Sequence, residues 1–258
     1  MQIGAITTQL DVAQLALIAF ALFFVGLVIY LQRENNREGL PLVDDYGRRT
    51  DKRGMSGLPA DKVFVLPHGG EIVVPRREPD EVLPASNAAA FISAPLEPLG
   101  NKLLSGLGPA AYAQRADVPD AQFFGGKPRI VPLRILPEVS LAIEDADPRG
   151  MAVVGADNAV AGTVADVWVD RGEALVRYLE VALVAELGAR RVLVPMPMVD
   201  IQAKRNRIKV ALILGAQFAD VPGTKSPEEV TSLEEDRIAA YYGGGLLYAT
   251  PARAEPLI

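Results

Sequence analysis

VAQLALIAFALFFVGLVIYL, residues 12–31, runs for twenty residues without a charged side chain, and Gln14 is its most polar member. Roughly 20 apolar residues of helix cross a bilayer's hydrocarbon core, so this run has the length of one membrane span. The rival reading is a secretory signal peptide, which has a basic n-region, an apolar core of about 7–15 residues and a small-residue cleavage site. Here the preceding segment carries Asp11 and no Lys or Arg, and the following one reads Gln32-Arg33-Glu34-Asn35 with no Ala-x-Ala pattern. The expectation is a retained helix over 12–32, with residues 1–11 outside the membrane on the periplasmic side. Arg33 and Arg37 flank only the C-terminal end, so the positive-inside rule places the rest of the chain in the cytoplasm. Both arginines sit at headgroup depth and are candidate lipid contacts.

Outward from the span, the soluble part changes grammar. Residues 33–137 are rich in proline: thirteen of the chain's twenty fall between Pro41 and Pro137. Proline removes backbone donors and interrupts helix and sheet alike, so the expectation is an extended segment. One ordered island stands out, Val63-Phe64-Val65-Leu66 and Glu71-Ile72-Val73-Val74 around Pro67-His68-Gly69-Gly70, which reads as a β-hairpin. Lys127 to Arg134 is a further strand candidate. From residue 138 onward short strands recur: Val160–Val169, Ala174–Val184, Val192–Val194 and Ile208–Leu212, with turns at Asp170-Arg171-Gly172 and Gln202–Asn206. That spacing predicts a small antiparallel barrel or curled sheet over 138–258. Ser226-Pro227-Glu228-Glu229 reads as a helix start, and Leu233–Tyr242 as a helix stopped by Gly243-Gly244-Gly245.

The composition excludes much chemistry. The 258 residues carry a formal net charge of −6, no cysteine and a single histidine. Thiolate metal sites, disulfides, a Cys nucleophile and multi-His centres are ruled out, and an acidic balance argues against a nucleic-acid partner. No Gly-x-Ser-x-Gly, His-Glu-x-x-His or EF-hand spacing occurs, so no enzymatic constellation is expected. The glycine run lacks a following Lys-Ser/Thr, and His68 in a hairpin turn is more often structural than catalytic. The ionisable set Asp166, Asp170, Arg171, Glu173, Arg177 and Glu180 has two readings. One is a solvated turn with cross-strand charges, which the sequence alone favours. The other is a proton relay through carboxylates partly removed from water.

Several stretches together resemble the H subunit of purple-bacterial photosynthetic reaction centres. They are Tyr30–Leu42, Val63–Gly70, Gly108-Pro109-Ala110, Ile130–Arg134, Asp147–Gly150, Ala161–Asp170, Arg177–Val181, Leu233–Arg237 and Tyr241–Ala249. The resemblance implies a one-helix anchor with a PRC-barrel-like cytoplasmic domain that caps the L and M subunits and binds no cofactor itself. Bacteriochlorophyll, bacteriopheophytin, quinones and non-haem iron would belong to L and M. Light-harvesting antenna and a cytochrome subunit would complete the wider assembly in the intracytoplasmic membrane. It further implies proton delivery to the secondary quinone, with Glu173 lying near it, Arg177 tuning the local field and Asp170 as a relay member. Some family members have a histidine- and aspartate-containing mouth for proton entry at this point, whereas Asp120–Lys127 here holds no histidine. Asp120 is the remaining candidate there. A membrane-tethered barrel docking some other partner is the alternative.

Overall fold

The computed structural model describes residues 11–35, 60–67, 69–74, 85–87, 94–123 and 125–254. Two compact units emerge, residues 1–82 with 90–94, and residues 83–89 with 95–258.

In the first unit, α1 spans Val12–Asn35 and buries no residue. Its start explains Gln14. The Gln14 N–H donates to the Asp11 carboxylate at 2.8 Å, and the Gln14 amide oxygen accepts the Asp11 N–H at 3.2 Å. Two of the four orphan donors of the first turn are thereby satisfied. A helix apolar all round and covered by nothing has the character of a membrane span. The expected hairpin is present, with β1 (Lys62–Val65) antiparallel to β2 (Glu71–Val74) and Lys62 opposite Val74. Gly69 and Gly70 take φ of 89° and 95°, which only glycine adopts cheaply. His68 lies outside the described residues. Val63, Phe64, Val65, Ile72 and Val73 are all exposed, so the hairpin shows apolar side chains on both faces. Lys62 is ion-paired with Glu34 in the last turn of α1.

The second unit opens with a short antiparallel pair, β3 (Ala85–Asn87) and β4 (Leu96–Pro98). The proline-rich stretch after it holds single 3₁₀ turns at Lys102–Leu104, Gly108–Ala110 and Leu133–Ile135. Leu103, Leu107, Ala110, Ile130, Val131 and Leu133 are buried there, so residues 95–137 take part in this unit's own core.

The main sheet has seven strands. They are β5 (Ile130–Pro132), β6 (Ala152–Val154), β7 (Val160–Asp170), β8 (Leu175–Leu183), β9 (Arg191–Pro195), β10 (Asp200–Gln202) and β11 (Arg207–Lys209). The order is β10-β11-β6-β7-β8-β9, and β5 pairs with the last residues of β7. Thus β7 carries β8 along one edge, and β6 then β5 along the other. β9 and β10 stand at opposite ends of this order, yet only the turn Met196–Met198 and Val199 separate them. The sheet must therefore curl until its two edges nearly meet. Bulges at Val164/Asp166 and Trp168/Val169 supply part of that coiling. Two features depart from the expected antiparallel barrel: no ladder joins β9 to β10, and β11 runs parallel to β6. Inside lie Trp168, Leu179, Val181, Ile208, Ile213 and Phe218, all fully buried.

The last helix, α2 (Ser232–Tyr248), differs from expectation at both ends. Its N-cap is Thr231, whose hydroxyl accepts the Glu234 N–H at 3.1 Å while Glu234 accepts the Thr231 N–H at 2.9 Å. The Ser226 hydroxyl accepts the Glu228 N–H within a turn, and the Ser-Pro-Glu-Glu signature does not start the helix. Gly243, Gly244 and Gly245 do not stop it either; they are helical and lie where other chain segments press closest. A Cβ at Gly245 would come 2.2 Å from the Leu212 carbonyl oxygen, and one at Gly244 would come 2.9 Å from the Ala110 Cβ. Arg253 then donates to the Gly245 and Leu212 carbonyls at 2.6 and 2.7 Å, satisfying acceptors in the final turn.

Candidate functional site

The register Ile130↔Asp170 between β5 and β7 sets Arg129 beside the turn that ends β7. The Arg171 N–H donates to the Arg129 carbonyl at 2.9 Å, fixing that alignment one residue further. From there the Arg129 guanidinium reaches three carboxylates. Nε donates to Asp170 Oδ1 at 2.9 Å, Nη2 donates to Glu173 Oε1 at 2.6 Å, and Nη1 lies 3.6 Å from Asp120 Oδ2. Three of the four residues singled out in the sequence for proton transfer thus converge on one cation. The fourth, Arg177, stands at the β-bulge of β8, exposed and outside this group.

The three carboxylates differ in their access to water. The Asp170 side chain is only 2% exposed, whereas Glu173 and Asp120 are 52% and 49% exposed. Asp170 Oδ1 also accepts the N–H groups of Gly172 at 2.8 Å and Glu173 at 3.1 Å, in an Asx-type turn that shapes the loop. Burial disfavours its charge, but Arg129 and the two backbone donors outweigh this and hold its carboxyl below the ordinary aspartate value. Hydrogen bonds to Asp170 and then Glu173 raise Arg129, which stays a cation throughout.

A second cluster occupies the interior beside it. Asp166 and Glu180 are direct cross-strand partners and both are buried. Like charges so placed repel, and Arg134 lies between them, donating through Nη1 to Glu180 and to Asp166 Oδ2 at 3.2 Å. Glu180 further accepts Trp168 Nε1 at 2.8 Å and Arg191 Nη1 at 2.6 Å. Burial would raise its carboxyl, yet Trp168, Arg191 and Arg134 together hold it below the ordinary glutamate value. The cross-strand pair is present and Glu173 and Arg177 are exposed as the solvated reading has it, but that reading is corrected for three members of the set. Asp166, Asp170 and Glu180 are buried and paired by arginines from the proline-rich stretch, a segment read only as a strand candidate.

A third pairing was not visible in the sequence. The buried Tyr178 hydroxyl donates to Glu235 Oε2 at 2.8 Å, across from β8 to the first turn of α2. Burial raises the Glu235 carboxyl above its ordinary value, Asp120 pushes the same way, and Tyr178, Arg177 and Arg115 oppose them. Among the described residues no three His, Cys, Asp or Glu side chains gather as a metal site. Arg33 is exposed in the last turn of α1, and Arg37 lies outside the described residues.

An N-terminal helix long and apolar enough to cross a membrane, with a curled β domain that carries buried acid–arginine clusters, fits the class of membrane-anchored subunits. Residues 141–215 match the PRC-barrel domain family. Residues 4–135 match the family described as the photosynthetic reaction centre, H-chain N-terminal region. The chain belongs to the reaction-centre H-chain family.

Proposed function

We propose that this chain caps the cytoplasmic face of the L and M subunits, stabilises their assembly and conducts protons toward the secondary quinone. The cofactors of the light-driven chemistry reside in those partners; this chain's part is to hold and move protons and to exclude bulk water. Family membership supports the capping role. The observation that carries proton conduction is the Arg129 group, in which two solvent-facing carboxylates and one buried carboxylate share a single fixed cation. Such a group sets two solvent-facing carboxylates able to exchange protons beside a buried one that stays charged, while Arg129 keeps the charge balanced.

In this reading Glu173 exchanges the proton, since it is half exposed. Asp170, charged and locked by three donors, positions the turn. Arg177 acts through its field. With the N-terminus periplasmic, Arg33 and Arg37 meet lipid headgroups at the cytoplasmic interface. Glu173→Gln keeps an oxygen acceptor for Arg129 but cannot take a proton. Reaction centres carrying it should assemble in normal yield and slow the proton-coupled second reduction of the quinone by about tenfold or more. Flash-induced proton uptake with a pH indicator measures this, and wild-type kinetics would remove Glu173 from the route.

A further inference from the structure

The hairpin of β10 and β11 carries Lys204, Arg205, Arg207 and Lys209 within six residues and no acid among them, in a chain of net charge −6. The register decides where they point. Ile201 pairs with Ile208, and both pack on the core, Ile208 completely buried. Side chains alternate along a strand, so Arg207 and Lys209 stand on the opposite, outer face. Between the strands the 3₁₀ turn Ala203–Arg205 ends at Asn206, whose φ is 47° and whose N–H returns to the Ala203 carbonyl at 3.0 Å. That turn leaves Lys204 and Arg205 exposed at the tip. Arg207 Nε donates to Gln202 Oε1 at 2.7 Å, and Lys209 Nζ to Asn158 Oδ1 at 3.3 Å. Neutral amides thus hold two of the cations in place.

Among the described residues none of the four forms an ion pair, whereas Arg115, Arg129, Arg134, Arg149 and Arg191 all meet carboxylates. Asp200, opposite Lys209 in register, accepts from the Gln202 amide at 2.7 Å. Asp157, beside Asn158, accepts the N–H groups of Ala159 and Gly215. The hairpin is therefore a positive surface that no carboxylate pairs.

We propose that the outer face of this hairpin rests on the anionic phospholipid headgroups of the membrane that the chain's own helix crosses. The inference needs the span of α1 and is independent of proton conduction. Two features select lipid over other anionic partners. No large apolar or aromatic side chain is exposed anywhere from β9 to β11; a protein interface needs such groups at its centre, and single-stranded nucleic acid needs them for stacking. Cations spread along a turn and one strand face, with no pocket between them, suit a diffuse field of phosphodiesters. The leaflet is also the one partner the domain cannot leave, because the tether through α1 raises its effective concentration.

The chain has no cysteine, so Ala203→Cys, at the exposed start of the turn, gives a single attachment point for a bimane fluorophore. The labelled full-length chain is placed in nanodiscs that contain phosphatidylcholine with a nitroxide on its headgroup, a contact quencher, and chain co-eluting with the discs is read. Quenching should be strong where the other lipid is rich in phosphatidylglycerol and weak where all of it is phosphatidylcholine. Both leaflets are alike, so orientation does not enter. Raising salt from about 0.1 M to 1 M shortens the Debye length from about 10 Å to 3 Å and should release the contact. Arg205→Gln should weaken it about fivefold, the effect of one cation beside an anionic leaflet, and glutamine at all four positions should abolish it. Arg205→Lys and Arg207→Lys keep the charge and should keep the contact. Fluorescence of Trp168 checks that each variant is folded, and the lipid and salt responses need no variant of the patch at all. Equal quenching in the two lipids, or quenching indifferent to salt, would overturn the proposal, as would a folded fourfold variant that stays in contact. No quenching in either lipid would overturn it too and assign the patch to an acidic protein partner.

Discussion

Replacing Arg134 with Met should destabilise the β domain by about 3 kcal/mol near neutral pH. The cause lies in the register of β7 and β8, which sets Asp166 directly across from Glu180, both buried. Arg134 is the cation reaching both, and it also donates to the Pro227 carbonyl. Methionine replaces the volume and leaves two carboxylates facing each other out of water. Arg191 still reaches Glu180, and Arg134 is itself 34% exposed. The expected loss therefore falls at the lower end of the range for breaking a buried pair.

The pH dependence separates the two proteins. In the wild type the Glu180 carboxyl is held below its ordinary 4.5, so its contribution is complete above that pH and lost as pH falls through the lowered value. In Arg134→Met the two facing buried carboxylates lose their shared cation, so protonating one of them relieves their repulsion. The variant's deficit should then shrink as pH drops from 7 toward 5. Trp168, the only tryptophan in the sequence, bonds Glu180 and reports unfolding by its fluorescence. Denaturant midpoints of the purified full chain in detergent give the comparison. In an Asp166→Asn, Glu180→Gln background the same Arg134 change should cost much less, since no buried charge is stranded. An equal loss in both backgrounds would place the effect in packing and not in charge.

What the sequence disclosed, and what it withheld, divides by range. The span at 12–31, the hairpin around Gly69-Gly70 and the strands 160–184 rest on local patterns of apolar run, turn glycine and alternation, and each lies where those patterns put it. The helical run from Leu233 was read within a residue of its start, but its cap was misassigned because two signatures of the same kind lie five residues apart, Ser226-x-x-Glu229 and Thr231-x-x-Glu234. Only the second caps the helix that carries the buried Leu233, Ile238, Tyr241 and Tyr242. Arg129 and Arg134 were not seen as site residues because their buried carboxylate partners lie 32 to 46 positions away. They meet only through the pairing of β5 with β7 and the turn that follows it. Glu235 had no signal of its own; it meets its partner only once the first turn of α2 reaches Tyr178 of β8. The closest hint was Tyr178, an aromatic whose hydroxyl needs a partner once the ring is inside.

The glycine run of α2 yields the other large effect, and its sign discriminates between readings. In a solvent-facing helix Gly→Ala stabilises by about 1 kcal/mol, because alanine loses less backbone freedom. At Gly245 the added methyl would sit 2.2 Å from the Leu212 carbonyl oxygen and 2.8 Å from Ile213 Cγ2. Neither can swing aside, since one is backbone and the other belongs to a fully buried side chain. The helix would have to move outward. That movement would also strain the bonds from Arg253 that tie Gly245 and Leu212 together. Overpacking of this kind costs about 3 kcal/mol, which in a domain of this size lowers the melting midpoint by about 10 °C. Leu246→Ala is the control one residue on, where the side chain is 63% exposed and little change is expected. Thermal melts of the two variants followed by circular dichroism decide the matter. A Gly245→Ala protein as stable as the wild type, or more so, would mean that α2 does not pack against Leu212 through its glycine face.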